Sequence, residues 1–218
     1  MKKLLLTAAA LAFTLAAARA DDVALVTLRV GSDKTPLQFA FEFHEAEAPA
    51  TVANFKKLAA KKFYNGLAIH RAFPHLLVQM GDPLTKQKER SKVGTGGPGY
   101  TIQAEIRRKH TKGAIAAARL PDKINPSRLS NGSQFYVCLA PQPTYDGQYT
   151  VFGQILWGLD TLDTLSTKPA DSNDYPIERI VIQSVKILPR EQLGAAPAPV
   201  KPGPAPKMPW WKSWWKFF

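Results

Sequence analysis

Cysteine is almost absent from this sequence, and histidine is scarce. The single cysteine, Cys138, cannot form an intramolecular disulfide, and it lies in the apolar run FYVCL, where we expect a buried and unreactive thiol. Only four histidines occur, and His70 and His75 have no third residue nearby at the spacing of a metal site. The sequence therefore predicts no disulfide framework, no metal centre and no cofactor.

Acidic residues are also in deficit. The chain has 17 Asp and Glu against 29 Lys and Arg, which gives a formal net charge of +12 over 218 residues. The basic residues are spread along the chain without the pattern of a DNA-recognition helix. A solvated basic surface is therefore favoured, and no nucleic-acid partner is expected.

Long apolar runs are confined to the N-terminus. Two lysines precede the apolar run 4–17, and an Ala-Arg-Ala cleavage site follows at 18–20. Residues 1–20 are therefore predicted to be a secretory signal peptide, and the protein is expected to be exported, with the periplasm as its compartment. Because Arg19 is unusual in a cleavage site, an uncleaved N-terminal anchor stays open.

The C-terminal end has two unlike segments. Residues 191–209 are rich in Ala, Pro and Gly, which is typical of an extended linker. Residues 210–218, from Trp210 to Phe218, read WWKSWWKFF, and this mixture of aromatic rings and lysines favours a membrane surface or a protein partner. One folded domain is left, at about residues 21–190.

Within this domain, short alternating segments predict an antiparallel sheet. The expected strands are 23–30, 37–43, 68–71, 76–79, 100–106, 113–117, 134–140, 150–155 and 177–188, and the expected helices are 49–60 and 159–165. Many short strands between turns favour a closed sheet over alternating strands and helices.

The stretch GTGGPGY satisfies the pattern G-x-G-x-x-G through Gly94, Gly96 and Gly99. A dinucleotide-binding turn needs a buried strand before it and a helix after it. Here the charged segment 86–93 precedes the glycines and a strand-like segment follows, while Pro98 removes a backbone donor. We interpret the stretch as a tight glycine loop that enters a strand of the predicted closed sheet, beside a binding groove.

Candidates for covalent or acid–base chemistry are missing. Ser133 stands in NGSQ rather than G-x-S-x-G, and no base is placed to activate it. Arg71, Gln79 and Gln134 instead lie inside apolar strands, where such side chains cost free energy unless they are paired. Three of them along one apolar surface predict a binding groove.

The motifs IHRAFPHLLVQMGDP, GTGGPGY, NGSQFYV and YDGQYTVFG follow VANFKKLA in this order. Together they resemble a bacterial, exported peptidyl-prolyl cis-trans isomerase of the cyclophilin type, over about residues 22–188. The resemblance implies a mainly β fold, a closed eight-stranded antiparallel β-barrel capped by two α-helices. It also implies an enzyme that acts on proline-containing polypeptides during the folding of exported proteins.

The resemblance also assigns roles to residues. It implies Arg71 as the catalytic arginine, and Gln79 as the glutamine that binds substrate backbone. The substrate-binding positions that it implies are Leu76, Leu77, Ala118, Arg119, Gln134, Tyr136, Tyr145 and Tyr149.

Three positions depart from the family pattern. Leu76 and Tyr136 replace the usual aromatic floor, and Thr144 stands where cyclosporin-sensitive members carry a tryptophan, so weak cyclosporin binding is expected. The altered floor keeps a second function open, a proline-peptide-binding or chaperone module without catalysis. The presence of Arg71 and Gln79 favours the enzyme.

Overall fold

The computed structural model describes residues 22–198, so the predicted signal peptide and the tail at 210–218 lie outside the described residues. The first two strands are β1 (Asp22–Val30) and β2 (Leu37–Phe43), and they pair antiparallel as the predicted opening hairpin. Strand β1 alternates, so Val26 and Leu28 are buried while Leu25, Thr27 and Arg29 are partly exposed.

Helix α1 (Pro49–Ala60) has the predicted bounds. Proline at the start of the helix fits the first turn, where its missing N–H would have no partner inside the helix. The helix buries Val52, Phe55 and Leu58 on one face. This face packs on the inner side of the sheet.

Further strands and one further helix complete the described chain. They are β3 (Arg71–Phe73), β4 (Leu77–Met80), β5 (Thr101–Ile102), β6 (Ala114–Ala117), β7 (Ser130–Asn131), β8 (Phe135–Cys138), β9 (Val151–Trp157), α2 (Leu159–Ser166) and β10 (Ile180–Pro189). Short 3-10 turns lie at Pro83–Lys86, Pro143–Tyr145 and Arg190–Gln192. Between residues 22 and 198, no helix has the length and apolar character to cross a membrane.

Eight strands form one curled antiparallel sheet in the order β10-β1-β2-β9-β6-β8-β4-β3, and β5 pairs separately with β7. The mainly β fold with eight strands in one sheet and two α-helices is confirmed. The two end strands, β10 and β3, do not pair with each other in this sheet. One isolated bridge, between Ala68 and Val181, joins the segment before β3 to β10, so full closure stays a prediction.

The predicted strand at 100–106 is wrong over most of its length. Only Thr101 and Ile102 are in a strand, and they pair with β7 outside the main sheet. Glu105 instead bonds through its backbone N–H to Thr150 Oγ1 at 2.8 Å, and its carboxylate accepts from the backbone N–H of Thr51 in α1 at 2.9 Å. The segment leaves the strand path because it caps a helix.

Two apolar clusters lie on opposite faces of the sheet. The inner cluster is the core between the sheet and the two helices, and phenylalanines such as Phe41, Phe55 and Phe152 dominate it. The outer cluster consists of Phe73, Leu77, Ala114, Ala116, Ala118, Tyr136, Cys138 and Val151, with Leu76, Tyr145 and Tyr149 packed against it. Because the outer face of such a sheet is usually polar, this cluster marks a candidate binding surface.

Candidate functional site

Arg71 stands at the edge of the outer cluster. It opposes Gln79 across β3 and β4, and Phe73 opposes Leu77 two residues further along. Since side chains alternate along a strand, Arg71 and Phe73 point to the same face. The Arg71 guanidinium carbon lies 4.9 Å from the centre of the Phe73 ring, a cation–π distance that positions the charge beside the apolar surface.

Gln79, which lies opposite Arg71 in the sheet, is hydrogen-bonded to a further polar side chain, that of Gln134. Its Nε2 donates to Gln134 Oε1 at 2.9 Å. Gln134 is almost fully buried, and its own Nε2 donates to the backbone oxygens of Gly94 at 2.9 Å and Gly96 at 2.7 Å. The structure therefore brings Arg71, Gln79 and Gln134 together, with Gln134 buried.

The glycine loop is held by a carboxylate of the protein itself. Asp82 is fully buried, and its Oδ2 accepts from the backbone N–H groups of Gly94 at 2.5 Å and Gly96 at 3.1 Å. A Cβ at Gly96 would lie 2.1 Å from Asp82 Oδ1, so the close approach requires glycine. The loop does lie beside the site, but the strand that follows it is β5 of the small sheet, not a strand of the main sheet.

Three tyrosine rings of the outer cluster pack against one another, and the His110 ring lies against all three. The Tyr136 ring meets Tyr145 at 80° and Tyr149 at 87°, with ring centres 6.0 and 5.8 Å apart. The His110 ring is tilted only 10° from that of Tyr136. Burial raises the pKa of Tyr136 well above its ordinary value, and also raises the pKa of Tyr145. The phenols of Tyr136 and Tyr145 therefore stay neutral at neutral pH.

His110 contributes to this site although the sequence analysis does not predict it. Its Nε2 lies 3.0 Å from Tyr136 Oη, and its Nδ1 lies 3.0 Å from Asp146 Oδ1. Burial lowers the pKa of His110, and the Asp146 carboxylate opposes that shift. His110 and Tyr136 are far apart in sequence, so no local pattern signals their contact.

The other predicted binding residues take different places. Leu77 and Ala118 are buried in the outer cluster, and Leu76 covers it. The Arg119 side chain is only 4 % exposed, and its Nε donates to Gln148 O at 2.9 Å. Its guanidinium carbon lies 4.6 Å from the centre of the Tyr149 ring. Arg119 therefore packs under Tyr149 and helps to hold that ring in the outer cluster.

Several residues of the surface are absent from the sequence prediction. Alternation along β3 and β8 could have found two of them, because Phe73 shares a face with Arg71, and Cys138 with Tyr136. Cys138 is fully buried, and burial raises its pKa to about 12. The predicted buried thiol is confirmed.

A depression of the surface adjoins the glycine loop. It has a volume of about 540 Å³, and its lining includes Tyr100, Leu120, Ile124 and Asn131. The first three are exposed apolar or aromatic side chains, so exposed apolar surface borders the glycine loop. Across residues 22–198, no three His, Cys, Asp or Glu side chains are grouped as metal ligands would be.

Comparison with known proteins gives one consistent family. The profile of the cyclophilin type peptidyl-prolyl cis-trans isomerase/CLD family matches residues 26–187. A peptidyl-prolyl cis-trans isomerase-like 1 from Aspergillus niger is 32% identical over 166 residues, which cover 73% of this chain and 94% of that protein. Peptidyl-prolyl cis-trans isomerase B from Bacillus subtilis is 40% identical over 129 residues, 58% of this chain and 81% of that protein.

Solved structures agree with this result. The crystal structure of a cyclophilin type peptidyl-prolyl cis-trans isomerase from Cryptosporidium parvum matches with a TM-score of 0.65 at 27% identity, and the match covers 77% of this chain and 97% of that one. A second structure of the same parasite protein, obtained in the presence of the dipeptide Ala-Pro, matches with a TM-score of 0.60 at 27% identity and covers 74% and 98% of the two chains.

Proposed function

Because this chain belongs to the cyclophilin-type peptidyl-prolyl cis-trans isomerase family, we propose that it accelerates rotation about X-Pro bonds in exported proteins as they fold, and that Arg71 stabilises the twisted amide. The observation that carries this proposal is the position of the guanidinium. It stacks on Phe73 at the edge of a buried apolar surface on the outside of the sheet.

The reaction needs no bond to be broken. Amide resonance holds the X-Pro bond with a barrier of roughly 18–20 kcal/mol, and uncatalysed rotation takes tens to hundreds of seconds. A site has only to hold the proline ring and to favour the twisted state over the planar one. The outer cluster offers an apolar seat for the ring, and Leu77, Ala116 and Tyr136 are among its buried members.

Arg71 supplies the interaction that is specific to the barrier. In the twisted amide the prolyl nitrogen becomes pyramidal, and its lone pair, which the planar amide shares with the carbonyl, is localised on nitrogen and can accept a hydrogen bond. A guanidinium that donates to this nitrogen therefore stabilises the transition state more than the planar ground state. Each factor of ten in rate needs about 1.4 kcal/mol, which one charge-assisted hydrogen bond can supply.

Gln79 holds the peptide on either side of the proline. Its amide group is fixed by the bond to Gln134, and Gln134 is in turn fixed by the glycine loop. A side chain that is held before the substrate arrives loses little conformational entropy on binding. The substrate backbone would therefore meet a preoriented amide.

The substrates that fit are proline-containing polypeptides. A relative has been crystallised in the presence of Ala-Pro, which is the smallest peptide with an X-Pro bond. We place the proline ring on the outer cluster, and the chain on one side of it along the depression beside Tyr100 and Ile124. The exposed apolar side chains there suit the apolar segments of an unfolded protein.

Export and attachment are proposals from the termini. The lysines, apolar run and Ala-Arg-Ala site at 1–20 support export to the periplasm. The tail at 210–218 supports association with a membrane surface or a protein partner, because tryptophan and lysine suit the headgroup region.

We also propose that the curled sheet acts as a closed barrel. Three backbone hydrogen bonds support closure: Gly66 N to Ile182 O at 2.8 Å, Ile182 N to Leu67 O at 2.7 Å, and Ile69 N to Ile180 O at 2.9 Å. They tie β10 to the segment that runs directly into β3, so that Arg71 sits on a strand with little freedom to splay.

The deciding experiment is a protease-free prolyl isomerisation assay on the chain from Asp21. We expect Arg71→Ala to lower kcat/KM at least about a hundredfold. Arg71→Lys should retain only a small part of the wild-type kcat/KM, because the lysine ammonium lacks the planar fork of donors that a guanidinium has. Arg190→Ala is the matched control, since Arg190 pairs with Glu42 away from the outer cluster, and it should keep the wild-type rate. Equal rates for wild type and Arg71→Ala would refute the catalytic role.

The alternative is a proline-peptide-binding or chaperone module without catalysis. The observation that favours it is the altered floor, where Leu76 and Tyr136 replace the usual aromatic pair. Titration with an Ala-Pro peptide separates the two functions. Peptide binding by a wild-type protein that leaves the isomerisation rate at background would establish the module and exclude the enzyme.

A further inference from the structure

Tyr136 places a hydroxyl under a pocket that we expect to hold an apolar ring, and this inference rests on the proposed isomerase function. The side chain is 4 % exposed, so the hydroxyl needs a partner inside the protein. His110 Nε2, 3.0 Å away, is that partner. The His110 side chain has no exposed surface, so the two groups form a buried polar pair at the outer cluster, to which Tyr136 belongs.

The direction of each proton in this pair follows from Asp146. An ionised carboxylate can only accept, and its Oδ1 accepts from the His110 backbone N–H at 2.7 Å and lies 3.0 Å from Nδ1. These contacts place the ring hydrogen on Nδ1, so that Nε2 of the neutral imidazole is an acceptor. Tyr136 must therefore donate its hydroxyl hydrogen to His110.

The same contacts join Tyr136, which forms the floor of the expected pocket, to Tyr145 and Tyr149, which form its wall. Asp146 directly follows Tyr145 in the chain and comes three residues before Tyr149, and both tyrosines pack edge-on against Tyr136. His110 also meets both rings edge-on, at 88° and 83°. His110 thus contacts the Tyr136 ring, the rings of Tyr145 and Tyr149, and the carboxylate of Asp146 between those two tyrosines.

We propose that His110 is a positioning residue of the prolyl pocket. It takes the hydroxyl hydrogen of Tyr136 and, through Asp146, locks that ring against Tyr145 and Tyr149, so that a bound proline meets the face of the ring and not a polar group. This arrangement lets a tyrosine serve as an apolar floor. The specificity of the site for a proline ring then depends on a histidine that the substrate never touches.

The test is a cycle of variants assayed for isomerisation in the chain from Asp21. His110→Phe keeps a flat ring but leaves the Tyr136 hydroxyl without its acceptor, so KM should rise about tenfold while kcat changes less than about twofold. Tyr136→Phe in the same chain removes the stranded hydroxyl, and the double variant should return to within about twofold of the wild-type KM. A KM for the double variant at or above that of His110→Phe would overturn the proposal, because a purely structural histidine gives no such rescue.

A second measurement does not depend on how the variants fold. Nitrogen-15 NMR of the wild-type chain reports which ring nitrogen of His110 carries the hydrogen. We expect a protonated Nδ1 and an unprotonated Nε2 at neutral pH; the opposite tautomer would overturn the proposal. A wild type without isomerase activity would instead refute the proposed function. The role of His110 would then still be tested by its tautomer and by the affinity for an Ala-Pro peptide of the wild type, His110→Phe, Tyr136→Phe and the double variant.

Discussion

His70 is a titratable residue held inside the protein beside the candidate arginine. It is 4 % exposed, and neither ring nitrogen has a well-formed hydrogen bond to another described residue, although the Ala68 backbone and the Gln134 side chain lie near enough to favour the protonated ring. Burial lowers its pKa to about 4, although the Asp82 carboxylate opposes the shift. A neutral imidazole is therefore built into the fold directly before Arg71, and adding a proton there costs free energy.

This burial predicts a loss of stability in acid. The folded pKa lies below the ordinary value of 6.5, so the unfolded chain binds the proton more readily and stability falls as the pH drops from 6.5 towards 4. The contribution of His70 amounts to up to about 3 kcal/mol over that range. Urea unfolding at pH 7.5 and pH 4.5 should therefore show a smaller difference for His70→Leu than for the wild type. An unchanged difference, or a His70 NMR titration with its midpoint near 6.5, would contradict the prediction.

Single residues differ in how well the sequence predicts them. Arg71, Gln79 and Gln134 are detectable because polar side chains inside apolar strands need an explanation, and the structure places them side by side. His110 and Asp146 are not detectable in this way. Their contacts with each other and with Tyr136 join segments that are distant in sequence, and neither residue interrupts an apolar run.

At the scale of elements, the sequence predicts those strands and helices in which apolar residues recur at the spacing that places them on one buried face. Helix α1 keeps its predicted bounds, and β1 and β2 form the predicted hairpin. The predicted strand at 100–106 is wrong beyond Ile102 because the sequence alternates as a strand does, but Glu105 bonds to α1 and to Thr150 and not to a neighbouring strand. Glu105 caps α1 through the N–H groups of Ala50 and Thr51, a long-range contact that periodicity does not encode.

The glycine loop is the element whose sequence and structure are most tightly linked. Gly96 has no room for a Cβ beside Asp82, whereas Gly99 has a φ of +92° but open space around it. Gly96→Ala should therefore push the loop away from Asp82, costing about 1–3 kcal/mol of stability. Because Gly96 O holds Gln134, the variant should also lower kcat/KM.

Gly99→Ala is the matched control for this change. It adds the same methyl group to the same loop and should cost only the backbone strain, about 1–2 kcal/mol. Its loss of kcat/KM should be the smaller of the two. Unfolding curves and isomerisation rates for both variants test this order, and an equal loss of activity in the two would show that contact with Asp82 does not hold Gln134 in place.

At the scale of the whole molecule, the site and the core share one sheet but use opposite faces. The inner face carries the phenylalanine core against α1 and α2, while the outer face carries Arg71 and the tyrosines. All members of the outer cluster lie between Phe73 and Val151. The chain beyond Val151 therefore completes the fold without adding a residue to the outer cluster.

This division predicts that residues 199–218, which include the tail at 210–218, can be removed without loss of catalysis. A chain of residues 21–198 keeps every described strand and helix, and its isomerisation rate should stay within about twofold of that of residues 21–218. Binding to vesicles of anionic lipid should be lost in the shorter chain, because the tryptophans and lysines of the tail supply the interfacial contacts. The matched control replaces Trp210, Trp211, Trp214 and Trp215 by alanine in the chain of residues 21–218, which keeps the lysines and isolates the rings. Equal sedimentation of all three proteins with the vesicles would exclude the tail as a membrane anchor, and a slower shortened chain would mean that the tail takes part in the reaction.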